Sequence, residues 1–402
     1  MPPPSTGLAG PAELRAHWDL DPAVVFLNHG SFGACPRSVL AHQDRLRAQM
    51  EREPVRFFVH ELPPLLDAAR AEVAAFVGAD PDELAFVTNA TAGVNAVLRS
   101  LDIAAGDELL TTDQAYNACR NVLDHVAARA GARVMAAALP FPVARASDIV
   151  EAVMAAVTPR TRLALIDHVT SPTGLVLPIA ELVGRLAERG VDTLVDGAHA
   201  PGMLPLDLRA LGAAYYAGNF HKWVCAPKGA GLLHVRRDRQ AGLHPAVISH
   251  GYNAPQPRSR FHIEFDWAGT DDPTPWLCVP EAIRTVAGLV PGGWTEVRAR
   301  NRALALAGRR ILCDALGSPT PAPDDMIGSL ASVALPDGDP SPPTSPLYAD
   351  PLQGALLERH GIEVPVPPWP APPRRLLRIS AQLYNEIGHY ERLAAALRQE
   401  LP

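Results

Sequence analysis

Three short segments combine residue types that could do chemistry together. The first, TNATAG, places Ala90, Thr91 and Gly93 between a predicted strand and a predicted helix. Small residues let backbone amides approach an anion, and a helix N-terminus adds a favourable dipole. The segment therefore suits a phosphate group, although an ordinary helix cap would have the same composition.

The second segment, VDGAHAPG, places Asp196 at the end of an apolar strand and His199 three residues later. A carboxylate at a strand end can pair with a protonated heterocyclic nitrogen and keep that ring electron-poor. A carboxylate that only caps the following turn is the alternative interpretation.

The third segment, YYAGNFHKW, ends an apolar run with Lys222, which follows Asp196 by 26 positions. Loss of water disfavours a charged amine, so a buried lysine has a lowered pKa and can form a Schiff base with an aldehyde. A lysine whose head reaches solvent is the alternative. Taken in order, the three segments supply the contacts that pyridoxal phosphate needs at its phosphate, its ring nitrogen and its aldehyde carbon.

Alternating strands and helices must position these segments. Between about residues 80 and 236 the sequence predicts strands at LAFVTN, DELLTT, RLALIDH, DTLVDGAH and AYYAGN, separated by helical patterns. This order is typical of an α/β domain with a mostly parallel sheet. Ligands of such sheets bind beyond the carboxyl ends of the strands, where all three segments fall.

The pattern changes after Pro291. A long amphipathic helix spaces Val297, Leu304 and Ile311 seven apart, and proline-rich connections then separate the strands SLASVAL and RLLRIS from helices at 350–360 and 385–401. We predict an N-terminal arm at 1–20, a large domain at 21–290 and a small α+β domain at 291–402. Disorder is the competing interpretation of the prolines.

Composition restricts the class of function. The 402 residues are 48% apolar, and the net charge of −7 comes from dispersed rather than clustered residues, which argues against binding to nucleic acid or to an anionic membrane. The chain has no charged signal start and no apolar run of the roughly 18 to 20 residues that a membrane span needs, so we expect a cytoplasmic protein. The five cysteines lie at least 35 positions apart, so we predict reduced thiols and no metal site.

These motifs resemble those of the class V (fold type I) aminotransferase-like pyridoxal phosphate enzymes, and within them the isopenicillin N epimerase-like branch. The resemblance runs over nearly the whole chain, through VVFLNHGSFGACP, HVTSPTGLVLP, VDGAHAPG, GNFHKW, AGTDDPTPW and RISAQLYN. It implies the fold type I architecture: a large domain with a mostly parallel sheet and a smaller α+β C-terminal domain.

The resemblance also implies roles for single residues. Lys222 would carry the internal aldimine, Asp196 would pair with the pyridine nitrogen, and His199 would lie near the ring hydroxyl. The other cofactor-binding positions implied in this way are Ala90, Thr91, Ser171, Thr173, Asn219 and His221. Asn219 replaces a serine that is more common in relatives, but its amide can still donate to a phosphate oxygen.

Further positions concern the partner subunit and the substrate. Gly269 and Thr270 match a pair that reaches the phosphate of the neighbouring subunit, which implies a homodimer with shared active sites. Tyr116 stands where a ring-stacking histidine is common, although a half-buried core tyrosine would also fit. Arg378 matches the arginine that clamps the substrate carboxylate, with Asn28 as a second contact. We expect Arg375 to be a surface charge and His168 to be structural.

The sequence predicts only the first part of the reaction. Once displaced by an amino acid, Lys222 can remove the α-proton as a general base. Epimerisation, loss of a β-sulfur group and transamination all remain open, with an epimerase expected first and Tyr116 or His199 as the second base. A cysteine desulfurase is not expected, because residues 317–373 contain no cysteine. A non-catalytic sensing module usually comes with a DNA-binding helix-turn-helix, and the roughly 20 residues before DPAVVFLN are too short and too rich in proline to supply one.

Overall fold

The computed structural model describes residues 10–255, 257–341 and 350–401. The first nine residues of the predicted arm and the end of one proline-rich connection, 342–349, lie outside the described residues. No described helix is long and apolar enough to cross a membrane.

The strands form one large and two small sheets. Their bounds are β1 Val25–Phe26, β2 Leu84–Val87, β3 Glu108–Thr112, β4 Arg133–Ala137, β5 Thr161–Asp167, β6 Asp192–Gly197, β7 Tyr215–Asn219, β8 Gly231–Val235, β9 Leu330–Ala334, β10 Ile362–Glu363 and β11 Leu376–Ser380. The large sheet has the order β2-β8-β7-β6-β5-β3-β4. Within it only β8 runs antiparallel to its neighbours, so six strands end at the same edge.

The helices cover both faces of the large sheet and build the C-terminal part. They are α1 Pro11–Arg15, α2 His29–Phe32, α3 Arg37–Arg52, α4 Pro54–Arg56, α5 Leu62–Val77, α6 Ala90–Ser100, α7 Asn117–Ala130, α8 Ala146–Ala155, α9 Ile179–Ala187, α10 Leu208–Leu211, α11 Arg260–Asp266, α12 Thr274–Leu277, α13 Val279–Gly288, α14 Gly293–Leu316, α15 Pro351–His360 and α16 Ile387–Glu400. A π-helical turn, Phe57–Glu61, joins α4 to α5.

Two apolar cores follow from this layering. On one face α8 and α9 bury residues such as Ile149, Val153 and Leu182 against the sheet. On the other face α6 and α7 bury Val97 and Leu123. The spacing of the apolar residues explains each helix, because positions three and four apart share the buried face.

The C-terminal part contains a second, antiparallel pair, β9 with β11, which places Arg378 opposite Ser332. The helices α14 and α16 pack together beside it. The N-terminal segment returns to this part, because β1 pairs in parallel with β10. The domain boundary near residue 291 stays a prediction.

The structure confirms all five predicted strands of the large sheet and the two predicted strands after residue 291. Four strands were not predicted: the two-residue strands β1 and β10, and β4 and β8 of the large sheet. The side chains of β4, at the edge of the sheet, are mostly not buried, so its sequence RVMAA lacks a clear apolar pattern. The short run GLLHV of β8 begins with glycine, which is depleted in strands.

Candidate active site

A cavity of about 420 Å³ opens at the carboxyl edge of the large sheet. It brings together side chains from six segments that are far apart in the sequence. Nine of the predicted site residues line it: Ala90, Thr91, Tyr116, Ser171, Asp196, His199, Asn219, His221 and Lys222. The parallel strands explain this convergence, because β5, β6 and β7 all end at this edge.

Lys222 lies three residues beyond the end of β7, in the wall of this cavity. Its amine lies 3.2 Å from Nε2 of His199. Burial, followed by repulsion from the Arg378 guanidinium, lowers the pKa of Lys222 to about 7. A large fraction of this amine is therefore neutral near neutral pH and can act as a nucleophile or a base.

The sequence carries a further signal for this lysine. The chain has only two lysines, Lys222 and Lys228, against a large number of arginines. Lys228 donates to the carbonyl of Gly33 at 3.0 Å and does not line the cavity. Lys222 is thus the only lysine of this chain that could form a Schiff base in the cavity.

His199 is held between Lys222 and Trp223. The indole nitrogen of Trp223 lies 3.5 Å from Nδ1 of His199, and because an indole N–H can only donate, Nδ1 is the acceptor. The proton of the neutral ring then lies on Nε2, facing the lysine amine. Burial, and then the charge of Lys222, lowers the pKa of His199 well below its usual value, so the ring stays neutral.

Asp196 is 3% exposed at the end of β6. The backbone amide of Ala198 donates to Oδ1 at 3.0 Å, and the thiol of Cys119 donates to Oδ2 at 3.0 Å. Both carboxylate oxygens are therefore oriented by the protein. Cys119 was missed by sequence reasoning, which considered cysteines only for disulfide, metal or persulfide chemistry.

The predicted phosphate cradle lies where β2 leads into α6. Asn89 caps this helix, because its side chain accepts from the amide of Ala92 at 2.9 Å. The amide of Ala90 donates to Oδ1 of Asn219 at 2.8 Å, so Asn219 organises the cradle. The amide of Thr91, in the first helical turn, has no intrahelical acceptor by its position.

The donors in this cradle fit an anion. Among the described residues, the buried Nδ1 of His221 has no hydrogen-bond partner. The Thr91 amide and the Nδ2 group of Asn219 can donate to phosphate oxygens, and Nδ1 of His221 can do so in the tautomer that carries its proton there. The turn can therefore serve both purposes. The Asn89 side chain caps the helix, and other groups of the same turn can bind a phosphate.

One glycine makes a close approach possible. Gly33 has a φ of +70°, and a Cβ placed on it would lie 2.0 Å from the carbonyl oxygen of His221. Only glycine fits at this contact, where the N-terminal segment packs closely against the loop that carries Lys222. The contact brings Ser31 to the cavity wall.

Arg378 reaches the site from β11. It donates to the carbonyl oxygen of Ser171 at 2.6 Å and to its hydroxyl at 3.1 Å, and it donates to the Ser31 hydroxyl at 2.9 Å. Burial lowers its pKa to about 10, so it stays charged at neutral pH. It does not itself line the cavity, but both of its serine partners do.

Asn28 contacts Ser31. Its Oδ1 accepts from the Ser31 hydroxyl at 2.5 Å, and its Nδ2 donates to Glu363 at 3.0 Å. Asn28 therefore does not line the cavity itself but contacts Ser31, which does. Sequence reasoning missed Ser31, although its hydroxyl lies in the segment LNHGSFG that was singled out.

Two other residues from the sequence analysis, Thr173 and His168, do not line the cavity. Thr173 is buried behind the cavity wall, where it donates to Gln114 at 2.5 Å, and it is not one of the lining residues. The nitrogen Nδ1 of His168 lies 2.9 Å from the Tyr216 hydroxyl, in line with a structural role.

The prediction for Arg375 is wrong. It forms an ion pair with Asp350 at 2.7 Å, and the two side chains are only 12% and 11% exposed. The proline-rich connections before β11 fold back against α15, whose N-cap is Asp350, and this burial was not visible in the local sequence.

Tyr116 lies at the N-cap of α7 and is 42% exposed, with its ring at the cavity wall. Partial burial raises its pKa, so the phenol keeps its proton.

Gly269 and Thr270 do not line this cavity. They line a second one of about 310 Å³, together with Phe58 and Trp267. The part of the chain that the structure describes contains no cluster of residues that could hold a metal ion.

Comparisons with known proteins agree with this geometry. The family model "Aminotransferase class-V" matches residues 36–303. The chain belongs to the class V aminotransferase family. Enzymes of this family depend on pyridoxal phosphate, and this class V chain is likewise a pyridoxal phosphate-dependent enzyme.

Two relatives and one solved structure are informative. The isopenicillin N epimerase of Amycolatopsis lactamdurans is 42% identical over 96% of this chain and 98% of its own length. The putative L-cysteine desulfhydrase 1 of Oryza sativa subsp. japonica is 37% identical over 81% of this chain and 70% of its own length. The cystine C–S lyase C-DES, in complex with its product cysteine persulfide, superposes with a TM-score of 0.77 at 23% identity, covering 93% of this chain and 97% of that one. The class V relationship and the fold type I architecture are thus confirmed.

Proposed function

We propose that this class V enzyme is an amino-acid epimerase similar to isopenicillin N epimerase. The observation that carries the proposal is the match to such an epimerase along almost the full length of both chains. The cavity supports it, because it contains two separate side chains that can exchange protons, Lys222 and Tyr116.

Pyridoxal phosphate, when bound, draws electrons from the Cα atom of an attached amino acid and makes its hydrogen acidic. Thr91, Asn219 and His221 would hold the phosphate, with Ala90 orienting Asn219, and Asp196 would hold the ring nitrogen. Lys222 supplies the base, because its pKa of about 7 leaves the amine able to accept a proton at neutral pH.

Inversion needs a second proton donor that does not share the position of Lys222. His199 is a poor choice, because its Nε2 already contacts the lysine amine. Tyr116 enters the cavity from the start of α7, independently of the lysine loop, and its phenol remains protonated. We therefore assign Tyr116 the return of a proton to the other face of Cα.

Arg378 would bind the substrate carboxylate. The guanidinium is held in place by Ser31 and Ser171, which both line the cavity. A planar guanidinium can form two parallel bonds with a carboxylate, which a lysine cannot do. This contact selects amino acids with a free α-carboxylate.

C–S lysis is the second candidate, since the rice relative is named a desulfhydrase. It shares the removal of the α-proton by Lys222 and differs in the loss of a β-sulfur group. Persulfide formation on a cysteine is not proposed. All five cysteines are buried, and burial raises the thiol pKa of Cys35 and Cys278, among them, to about 12.

Incubation in deuterated water separates these candidates. Amino acids and cysteine conjugates are added to the loaded enzyme, and Lys222→Ala serves as the control. Deuterium at Cα with inverted configuration supports the epimerase. Pyruvate and a thiol would establish the lyase, and a keto acid with aminated cofactor would establish an aminotransferase.

We also propose that the enzyme is a cytoplasmic homodimer whose sites are completed across the interface. The cavity with Gly269 and Thr270 lies beside an exposed apolar surface that includes Val247, Ile248 and Val59. Such patches are typical of interfaces between proteins. This surface would place Gly269 and Thr270 next to the partner's phosphate cradle.

A mixing experiment tests the shared site. Lys222→Ala and Gly269→Val subunits are unfolded, mixed and refolded, and each is also refolded alone. If sites are shared, the mixed dimer contains one site with a native lysine and a native glycine loop, so activity exceeds that of either variant alone. Activity that stays at the level of the single variants would refute the shared site.

A further inference from the structure

Two carboxyl groups lie side by side at the end of the large sheet. Asp167 ends β5 and Asp196 lies in β6, and the parallel register pairs these two residues directly. Residues paired in this way point to the same face of a sheet. Both line the cavity, and they are 4% and 3% exposed.

The two groups differ in their partners. Asp196 receives a hydrogen bond on each oxygen, from Ala198 and Cys119. Asp167 has the backbone amide of Tyr116 as a donor, but its Oδ2 has no partner among the described residues. Within the described chain, no lysine, arginine or histidine forms an ion pair with Asp167.

Two carboxylates in one buried site cannot both be charged without a large cost. The charge then stays on the group with more donors, which is Asp196, and the proton goes to the other. Other titratable groups around Asp167 are Lys222, Cys119 and Tyr116, and of these only Lys222 can carry a positive charge.

We propose that Asp167 is a positioning residue that carries the proton of this carboxyl pair and so leaves one negative charge, on Asp196, to face the ring nitrogen of the cofactor. The Cys119 thiol completes the arrangement by fixing the orientation of the Asp196 carboxylate. The inference rests on the pyridoxal phosphate dependence of the enzyme and not on the choice of epimerisation.

The electrostatics of the three groups agree with this geometry. Burial, followed by the charge of Asp196, raises the pKa of Asp167 well above its usual value. Burial and the same carboxylate also raise the pKa of Cys119, so its thiol keeps the proton that it donates. A single negative charge held by two neutral donors, the Ala198 amide and the Cys119 thiol, is the arrangement expected of a carboxylate that must hold a pyridinium.

Infrared spectroscopy of the cofactor-free protein at neutral pH tests the protonation state. We expect a C=O stretching band of a protonated carboxylic acid that shifts in deuterated water. The band should disappear in Asp167→Asn and remain in Asp124→Asn, a matched change at an exposed aspartate of α7. A wild-type protein without this band, or a band that survives in Asp167→Asn, would overturn the proposal.

If Asp167→Asn does not fold, wild-type protein with ¹³C-labelled aspartate gives the answer instead. The band must then shift with the label, and a band that does not shift rejects Asp167 as its source. No substrate is needed, so this result is independent of the reaction catalysed.

Kinetics of the loaded enzyme provide the second readout. Asparagine imitates a neutral carboxylic acid, so we expect Asp167→Asn to lower kcat by less than about tenfold. Asp196→Asn removes the charge and should lower kcat by several orders of magnitude. Equal losses in the two variants would show that Asp167 acts as a carboxylate and would refute its neutral role.

The role of Cys119 is tested by the spectrum of the bound cofactor. Serine keeps a donor to Asp196, whereas alanine removes it. We expect the pH midpoint of the cofactor absorption change to move in Cys119→Ala and to be restored in Cys119→Ser. Identical midpoints in the alanine variant and the wild type would remove Cys119 from the arrangement.

Discussion

Lys222 and Arg378 are both cations taken out of water, yet the protein uses them in opposite ways. Burial lowers the pKa of Lys222 to about 7 and that of Arg378 to about 10. The lysine therefore loses its charge in the physiological range, whereas the arginine keeps it. The same physical effect produces a nucleophile at one position and a fixed charge at the other.

Their surroundings reinforce the difference. The Lys222 amine faces the neutral ring of His199, which gives a positive charge little stabilisation. The Arg378 guanidinium donates to three oxygens of Ser171 and Ser31. The two regions also interact, because the positive charge of Arg378 contributes to the lowered pKa of Lys222.

Replacing the lysine should have the largest effect. Lys222→Ala removes both the amine that bonds to the cofactor and the base, so we expect activity to fall by several orders of magnitude. Borohydride reduction of the loaded enzyme should label one of the two lysines, and peptide mapping should identify it as Lys222. Lys228→Arg is the matched control and should keep the label, whereas a label on Lys228 in the wild type would contradict the assignment.

Removing the arginine should weaken substrate binding. Loss of one partner from a buried, charge-assisted contact costs roughly 2 to 5 kcal/mol. We expect Arg378→Ala to raise KM strongly, and Arg378→Lys to restore it only in part, since a lysine cannot bind a carboxylate with two parallel bonds. Steady-state kinetics with a free amino acid and its carboxamide give the measurement. An unchanged ratio between these two substrates in Arg378→Ala would refute the clamp.

The positive charge of Arg378 lowers the pKa of Lys222, and this interaction predicts how cofactor uptake depends on pH. Only the neutral amine adds to an aldehyde, so the rate at which the cofactor-free enzyme takes up pyridoxal phosphate should rise with pH through a midpoint near 7. Arg378→Gln removes a charge that disfavours the protonated amine and should move this midpoint to higher pH. Asp196→Asn removes an attractive charge and should move it to lower pH. Stopped-flow absorbance measures both shifts. A shift of either variant in the opposite direction would contradict the effect assigned to that residue on the pKa of Lys222.

The smallest effect is expected for the serine that orients the arginine. Ser31→Ala removes one hydrogen bond to Arg378, for a cost of about 1 kcal/mol. We expect a modest rise in KM with kcat nearly unchanged. Ser38→Ala, at an exposed position of α3, is the control. Equal KM values for the two variants would show that Ser31 does not position the guanidinium.

The sequence alone predicted much of the large sheet and most of the cavity. Strand ends carry the chemistry of this fold, and Asp196 and Lys222 are recognisable because Asp196 ends an apolar strand and Lys222 follows the next one, in the order that pyridoxal phosphate needs. Ser31, Cys119 and Asp167 could not be assigned in this way. Each acquires its role only through a neighbour that is distant in the chain, such as Arg378, which lies 347 positions after Ser31.

The order of the motifs and the types of the elements were thus determined by the sequence, because apolar periodicity and turn residues act over a few positions. The tertiary structure decided which strand ends lie side by side. The sheet order puts β5 next to β6 and so joins the two aspartates, and β11 returns to deliver Arg378 to the N-terminal segment. Contacts of this kind depend on how the layers pack across the whole chain, so they cannot be predicted from a local pattern of residues.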